Sequence, residues 1–344
     1  MNRYLLDASN NVVSLEQGIV FICPEFFDYK VLIENDLAMR YKKVLSFSDR
    51  PICSSLFKAL IKFNIIGAAR FFSKRYSRHI LDSIREQLES VSEVIIIKGT
   101  CIHPDFIDAI KKINPCLRVI CYSWDSISNI KTFPLLAVKA DAAYTFDIAD
   151  CKKYGYGYLP LFYSDKRSHS HAVAKKYKYS FIGSYHCDRV AVLQRIFSHE
   201  HDASLYVKIF FQSKLQFAFY YLLDPALRTA PKEWLTFKPL ARTTVTDVAE
   251  HSEYVIDIHN ANQTGLTMRT WETLGDGHQL VTTNAAVLYH ADMREVVVID
   301  RNTGKRWSAS QCARYLNAMS NSALSVDALS ISTWLDNLLA RSEN

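Results

Sequence analysis

Two successive α/β lobes, each built on a parallel sheet, are the fold this sequence predicts. Three observations lead there. Short β-branched apolar runs alternate with helix-length amphipathic stretches. The alternation stops at a polar, basic stretch over 164–178 and then begins again. The chain has 344 residues, 49% of them hydrophobic, which is more than one ordinary core of this class holds. The boundaries that follow are a first lobe over 1–165, a linker over 166–178, a second lobe over 179–305 and a helical tail over 306–344.

In the first lobe Gly18–Cys23 (GIVFIC) reads as a buried strand and 44–47 as a second. Val91–Ile97 is the clearest, and it ends in Lys98 and Gly99. Residues 117–122 (LRVICY) end in Ser123, Trp124 and Asp125. Residues 142–146 (AAYTF) end at Asp147, and 158–162 (YLPLF) close the set. Between them, 105–114 places Phe106, Ile107, Ile110 and Ile113 on one helical face. In the second lobe, 179–182 (YSFI) runs into Gly183 and Ser184. A helix over 188–197 carries Val190, Leu193 and Ile196 on one side. Strands follow at Leu205–Phe210, which carries Lys208, and at 254–258, which carries Asp257. A helix over 267–274 and strands at Gln279–Thr282 and 296–299 complete the lobe, and 308–339 reads as helical.

Composition narrows the function. The net charge of +6 suits an anionic partner such as a nucleotide, a phosphate-linked lipid or a membrane surface. The basic residues are not interleaved with aromatics in a single-strand nucleic-acid pattern, so no nucleic acid is expected. No run of about 18 apolar residues occurs, so no spanning helix is expected. Residues 1–17 lack the parts of a signal peptide, so the protein is expected to stay in the cytoplasm. The eight cysteines contain no C-x-x-C pair and read as reduced thiols. His103, His186 and His259 have no metal-ligand spacing, so no metal is expected. Walker A, G-x-G-x-x-G and G-x-S-x-G strings are absent.

Residues 56–79 stand apart, because Lys58, Lys62, Arg70, Lys74 and Arg78 occur there with no acid. The segment is either an amphipathic helix packed on its lobe or a surface that docks on anionic lipid. The aromatic-rich 214–228 belongs either to the core or to the same surface.

Ligands of parallel sheets bind beyond the C-terminal strand ends, which directs attention to Lys98, Asp125 and Asp147. The densest constellation is 257–284. A strand ends there, a polar loop with Gly265 follows, and a helix begins near Thr267 and carries Arg269 and Glu272. A helix N-terminus behind a glycine suits a diphosphate. Arg269 can fork onto phosphate oxygens, and an ionised Glu272 only accepts, which suits a ribose diol. A plain helix with a solvated arginine and glutamate is the other reading of the same spacing.

The string QTGLTMRTWETLGDGHQLVTTN over 263–284 resembles the donor-binding signature of B-type glycosyltransferases. The nearest group includes capsule, exopolysaccharide and lipopolysaccharide enzymes and the spore-maturation-like proteins. IKGT at 97–100, YSWDS at 122–126 and FIGSYHCDR at 181–189 fit that group in the same order, so the likeness runs from about Gly18 to about Asp300. The resemblance implies two Rossmann-like lobes facing a central cleft. It implies that a nucleotide sugar, a UDP-sugar above others, is the donor, with no further cofactor and no catalytic metal. The sugar would pass to a lipid-linked or growing glycan in bacterial surface polysaccharide (O-antigen, capsule or exopolysaccharide) synthesis, at the inner face of the membrane.

Glu272 matches the family's glutamate near the donor ribose. Thr264, Gly265, Thr267 and Arg269 match the loop and helix start near the diphosphate. Gly183 and Ser184 match the turn that opens the second lobe, with Asp188 and Arg189 after it. Lys208 sits where many members place a phosphate-facing cation. One position departs from the commonest pattern: Thr264 stands eight before Glu272, where a second glutamate is usual. The first lobe is expected to hold the acceptor. Asp125 is the candidate base there, or else the cap of the next helix. Trp124 would stack on a sugar, and Lys98, Asp147, Asp28 and Tyr29 would line the acceptor side, unless Asp147 serves as the cap of the next helix. Arg269 and the amides around Gly265 would stabilise the departing diphosphate. A non-catalytic sugar-nucleotide or glycan scaffold on the same fold, and a sugar-nucleotide epimerase, are the alternatives.

Overall fold

A computed structural model describes residues 4–6, 12–14, 17–25, 28–51, 66–164, 173–186, 188–200, 203–290, 296–317 and 330–341. Two compact units emerge, one of 1–160 with 334–344 and one of 161–333.

In the first unit, β1 (Tyr4–Leu6) and β2 (Val12–Ser14) pair antiparallel on their own. The main elements are β3 (Gly18–Cys23), α1 (Tyr29–Arg40), β4 (Lys43–Ser48), α2 (Ile66–Ile84), β5 (Val91–Ile97), α3 (Asp105–Ile113), β6 (Arg118–Ser123), α4 (Phe133–Ala137), β7 (Ala142–Thr145), α5 (Ile148–Tyr154) and β8 (Gly157–Tyr158). The six-stranded sheet has the order β4-β3-β5-β6-β7-β8, every pair parallel. Every residue of β3 is buried, because a central parallel strand is covered on both faces and needs a continuous apolar run. Helix α3 buries Phe106, Ile107 and Ile110 into the same core as Ile80 and Ile84 of α2.

The run over 158–162 is strand only to Tyr158. Pro160 has no amide to give to a ladder, and Leu161 already belongs to the second unit.

The second unit contains β9 (Tyr177–Ser184), α6 (Arg189–Phe197), β10 (Leu205–Phe210), α7 (Lys214–Leu223), α8 (Pro225–Thr229), β11 (Leu235–Thr236), α9 (Arg242–Glu250), β12 (Ser252–Asp257), α10 (Met268–Gly275), β13 (Gln279–Thr282), β14 (Val296–Val298) and α11 (Ala309–Asn317). Its sheet runs β11-β10-β9-β12-β13-β14, again all parallel. β9 starts at Tyr177, so the last residues of the expected linker already belong to the sheet, and 165–172 lie outside the described residues.

In each sheet the chain builds outward one way and then returns to build the other way. The reversal falls between β3 and β5 in the first unit and between β9 and β12 in the second. A crevice at the C-terminal strand ends opens at such a reversal.

The tail does not stay with the second unit. The last helix, α12 (Ile331–Leu339), is grouped with the first unit from Trp334 onward. The indole of Trp334 stands edge-on to Tyr122, 5.0 Å between ring centres. Arg118 closes the helix end by donating to the carbonyls of Leu339 and Ala340, each at 2.6 Å.

Candidate functional site

In the second unit, the reversal point is held by two arginines. Arg189, at the start of α6, donates from Nε to Ile258 O at 2.9 Å and from Nη1 to Ser184 O at 2.7 Å, tying the end of β9 to the end of β12. Arg301 forks onto Asp188 at 2.8 and 2.6 Å and donates to His259 O at 2.9 Å. The guanidinium beside Asp188 holds that carboxyl below its ordinary range. The His259 ring lies 2.8 Å from Thr283 Oγ1, and burial pushes its pKa down to about 4, so it is neutral near pH 7. Gly183 packs closely here, since a Cβ would meet Phe181 at 3.0 Å and the Arg189 guanidinium at 3.2 Å.

The loop and helix that follow β12 are built around one buried carboxylate. Asp257 accepts from Thr267 Oγ1 at 2.9 Å and Thr270 Oγ1 at 2.7 Å, fixing the head of α10 to the strand end. Thr267 is the N-cap, and its hydroxyl oxygen accepts from the Thr270 amide at 3.3 Å. That leaves the amides of Met268 and Arg269 at the mouth of the helix, where the dipole is positive. The loop in front is clamped from the next strand. Asn284 is buried, and its Nδ2 donates to Thr264 O and Gly265 O at 3.1 Å each, while its Oδ1 accepts from the Ala286 amide at 3.0 Å.

Beside this helix lies a pocket of about 220 Å³, lined among others by Tyr163, Ser164, Arg242, Arg269, Glu272 and His278. Arg269 Nη2 donates to Ile182 O at 3.0 Å, which steers one nitrogen to β9 and leaves a five-donor guanidinium with other N–H bonds at the pocket. Glu272 stands 3.6 Å from Arg242, itself bonded to the Ser164 hydroxyl. Both members of this pair are partly exposed, so the contact is worth at most about 1 kcal/mol and a ligand hydroxyl can replace it. Gly275 makes room for Tyr163 in the pocket wall, because the Tyr163 ring lies where a Cβ would stand.

Thr264, Gly265, Thr267, Arg269 and Glu272 are thus on one loop and helix, and Arg269 and Glu272 share the pocket. Ser184 ends β9, the strand whose Ile182 carbonyl receives Arg269. Lys208 is engaged elsewhere. Its ammonium donates to Glu233 O at 2.6 Å, in the crossover between β10 and β11. Sequence reasoning missed Arg242, Tyr163 and the Asn284 clamp. Thr282-Thr283-Asn284 does stand out as a polar strand end, which was the one available signal for Asn284.

In the first unit, the strands at the reversal end in Cys23 and Ile97. Lys98 follows with φ +67° and Gly99 with φ +65°. A non-glycine residue in the left-handed region costs roughly 1 kcal/mol or more, and such strain is commonest where a side chain must be aimed. Gly99 suits that backbone, and a Cβ there would also press on the Leu136 methyl at 2.5 Å. Lys98 Nζ reaches Asp125 at 2.8 Å. Asp125 also accepts from the Ser126 amide and from Asn129 Nδ2, each at 3.0 Å. Three donors therefore hold the expected base, two on Oδ1 and Lys98 on Oδ2, and Oδ2 keeps a lone pair for a further hydroxyl. Trp124 is half-buried beside it. Asp147 is buried and caps α5 through the amides of Ala149 and Asp150, at 2.9 and 3.3 Å. Tyr29 is buried at the start of α1, and Asp28 is exposed before it. Of the basic stretch 56–79, residues 56–65 lie outside the described residues. The rest is in α2, which buries Ser73, Ser77 and Ile80 and exposes Arg70, Phe71, Lys74 and Arg78.

Sequence comparison finds no family model and no curated protein that matches the chain. Comparison of structures does find likeness. An alpha-glucosyltransferase, solved with UDP and a mismatched DNA, matches over 93% of this chain and 95% of its own, with a TM-score of 0.53 and 12% identity. AviGT4, a glycosyltransferase of avilamycin A biosynthesis, matches over 93% and 95%, with a TM-score of 0.52 and 12% identity. The fold is that of the B-type glycosyltransferases. Two six-stranded parallel sheets, one per unit, are the B-type architecture. The pocket beside α10 falls in the second of its units.

Proposed function

We propose that this protein is a glycosyltransferase that takes a sugar from a nucleotide sugar and passes it to a lipid-linked or growing glycan, in the making of a bacterial surface polysaccharide. The observation that carries the reading is the site beside α10. A helix mouth, a cation and a carboxylate lie together there, next to the reversal point of a B-type sheet. In the proposed reaction the amides of Met268 and Arg269 receive the diphosphate and the Arg269 guanidinium neutralises the charge that develops as it leaves. Glu272 exchanges Arg242 for the ribose diol. UDP is the preferred nucleotide, in keeping with the UDP held by the structurally similar alpha-glucosyltransferase. The first unit takes the acceptor, with Asp125 as base for a sugar hydroxyl that bonds Oδ2 beside Lys98.

Thr264 in place of a second glutamate, together with the three donors on Asp125, favours one second reading: a protein that binds the sugar nucleotide without transferring it. Incubating the purified protein with UDP-sugars, with and without glycan acceptors, separates the readings. Acceptor-dependent release of UDP supports transfer. A changed sugar with no acceptor present means epimerisation, and an unchanged donor in every mixture leaves binding alone.

A further inference from the structure

The crossover between β10 and β11 carries a surface that the fold does not need. Helix α7 is firmly placed. Ser213 caps it by accepting from the Gln216 amide at 3.1 Å. Phe217 packs edge-on to Phe211 and Phe237, at 5.2 and 5.7 Å between ring centres, and Tyr220 lies 4.8 Å from Tyr185. These inward residues account for the helix's contribution to the core. The outward stripe is Leu215, Ala218, Phe219 and Leu222, the i, i+3, i+4, i+7 positions of one face. Leu215 is 84% exposed, Phe219 60%, Leu222 77% and the adjoining Leu223 63%. A helix with an apolar outer face in water marks an interaction site.

The charge carried by the same crossover identifies the partner. From 212 to 241 the cations are Lys214, Arg228, Lys232 and Lys238, all exposed, against Asp224 and Glu233. Asp224 is already occupied, accepting from Tyr185 Oη at 2.9 Å and from the Ala226 amide at 3.0 Å. Lys214 sits in the first turn of α7, where a cation opposes the helix dipole, so the helix itself gives no reason for it. A second copy meeting the same face would set these cations against their own kind. An anionic lipid surface satisfies both the stripe and these cations.

We propose that α7 docks the protein on an anionic phospholipid surface, with Leu215, Phe219 and Leu222 entering the acyl boundary and Lys214 and the crossover's other exposed cations meeting headgroup phosphates. The contact is peripheral, since no helix among the described residues is long and apolar enough to cross a membrane. The proposal goes beyond sugar transfer and stands without it.

The test is sedimentation of the full chain with vesicles of phosphatidylcholine alone and of phosphatidylcholine mixed with phosphatidylglycerol. The wild type should pellet with the mixed vesicles and stay in solution with the neutral ones. The variant Leu215→Gln/Phe219→Gln/Leu222→Gln should bind at least about tenfold more weakly, with an unchanged melting temperature because the three positions are exposed. A second variant, Lys214→Glu/Lys238→Glu, should lose binding in the same way. Equal pelleting of wild type and triple variant would overturn the proposal, as would equal pelleting with both vesicles. A dimer in vesicle-free solution that the triple variant abolishes, with no pelleting of the wild type, would assign the face to a second copy instead.

Discussion

Replacing Asn284 by alanine isolates the clamp that holds the donor loop. The side chain gives two hydrogen bonds of 3.1 Å to the carbonyls of Thr264 and Gly265 and takes one of 3.0 Å from the Ala286 amide. Each is worth roughly 0.5–1.5 kcal/mol net, and buried partners left unmatched add to the loss, so the total is roughly 2–4 kcal/mol. For a unit the size of the second one, Leu161–Thr333, 1 kcal/mol moves the melting temperature by roughly 2–4 °C, so a fall of about 4–16 °C is expected. The released loop must also be ordered again when a diphosphate binds, so affinity for UDP should fall about tenfold or more. Differential scanning fluorimetry with and without UDP reads both effects. A melting temperature within about 2 °C of wild type and an unchanged UDP affinity would refute the clamp.

Gly275→Ala places a Cβ 2.5 Å from the Tyr163 ring, so the ring must leave the pocket wall. Overpacking of this kind costs roughly 1–3 kcal/mol, and nucleotide affinity should fall with it; a variant that melts and binds like wild type counts against Tyr163 as a wall. His259 makes stability depend on pH. Its folded pKa, about 4, lies below the ordinary 6.5, so the unfolded chain takes up the proton first as pH falls. Stability should therefore be full above pH 6.5 and decline toward pH 4, by up to about 1.4 kcal/mol per pH unit. Urea unfolding of wild type and His259→Gln across that range should show the slope shrinking in the variant, and identical slopes would remove His259 as its cause.

Local sequence was most legible where structure is local. β3, β5 and β10 are short β-branched runs with both ends marked, and β5 and β10 have the limits their apolar spacing predicts. The loop and helix over 257–284 were legible because strand end, glycine, cap and arginine follow one another within a few residues. Arg242 was not, since it lies on a separate helix, α9, whose three threonines and two valines disfavour helix by propensity and form one only through packing. The return of α12 was equally hidden, because the Arg118 bond that closes it joins residues 221 apart. Lys98 carried no mark of its left-handed backbone, which is usually glycine's. Helix α7 shows a different limit: KLQFAFYYLL has the composition of core, and apolar composition alone does not distinguish a buried face from an exposed one.

The central claim, that the second unit holds a nucleotide sugar through α10, is tested most directly by calorimetric titration of UDP into wild type and Glu272→Ala. The account predicts one site in the wild type and a loss of about tenfold or more in the variant, from the lost ribose contact. Equal affinity in both proteins, or no binding of UDP or any other nucleoside diphosphate to the wild type, would contradict it.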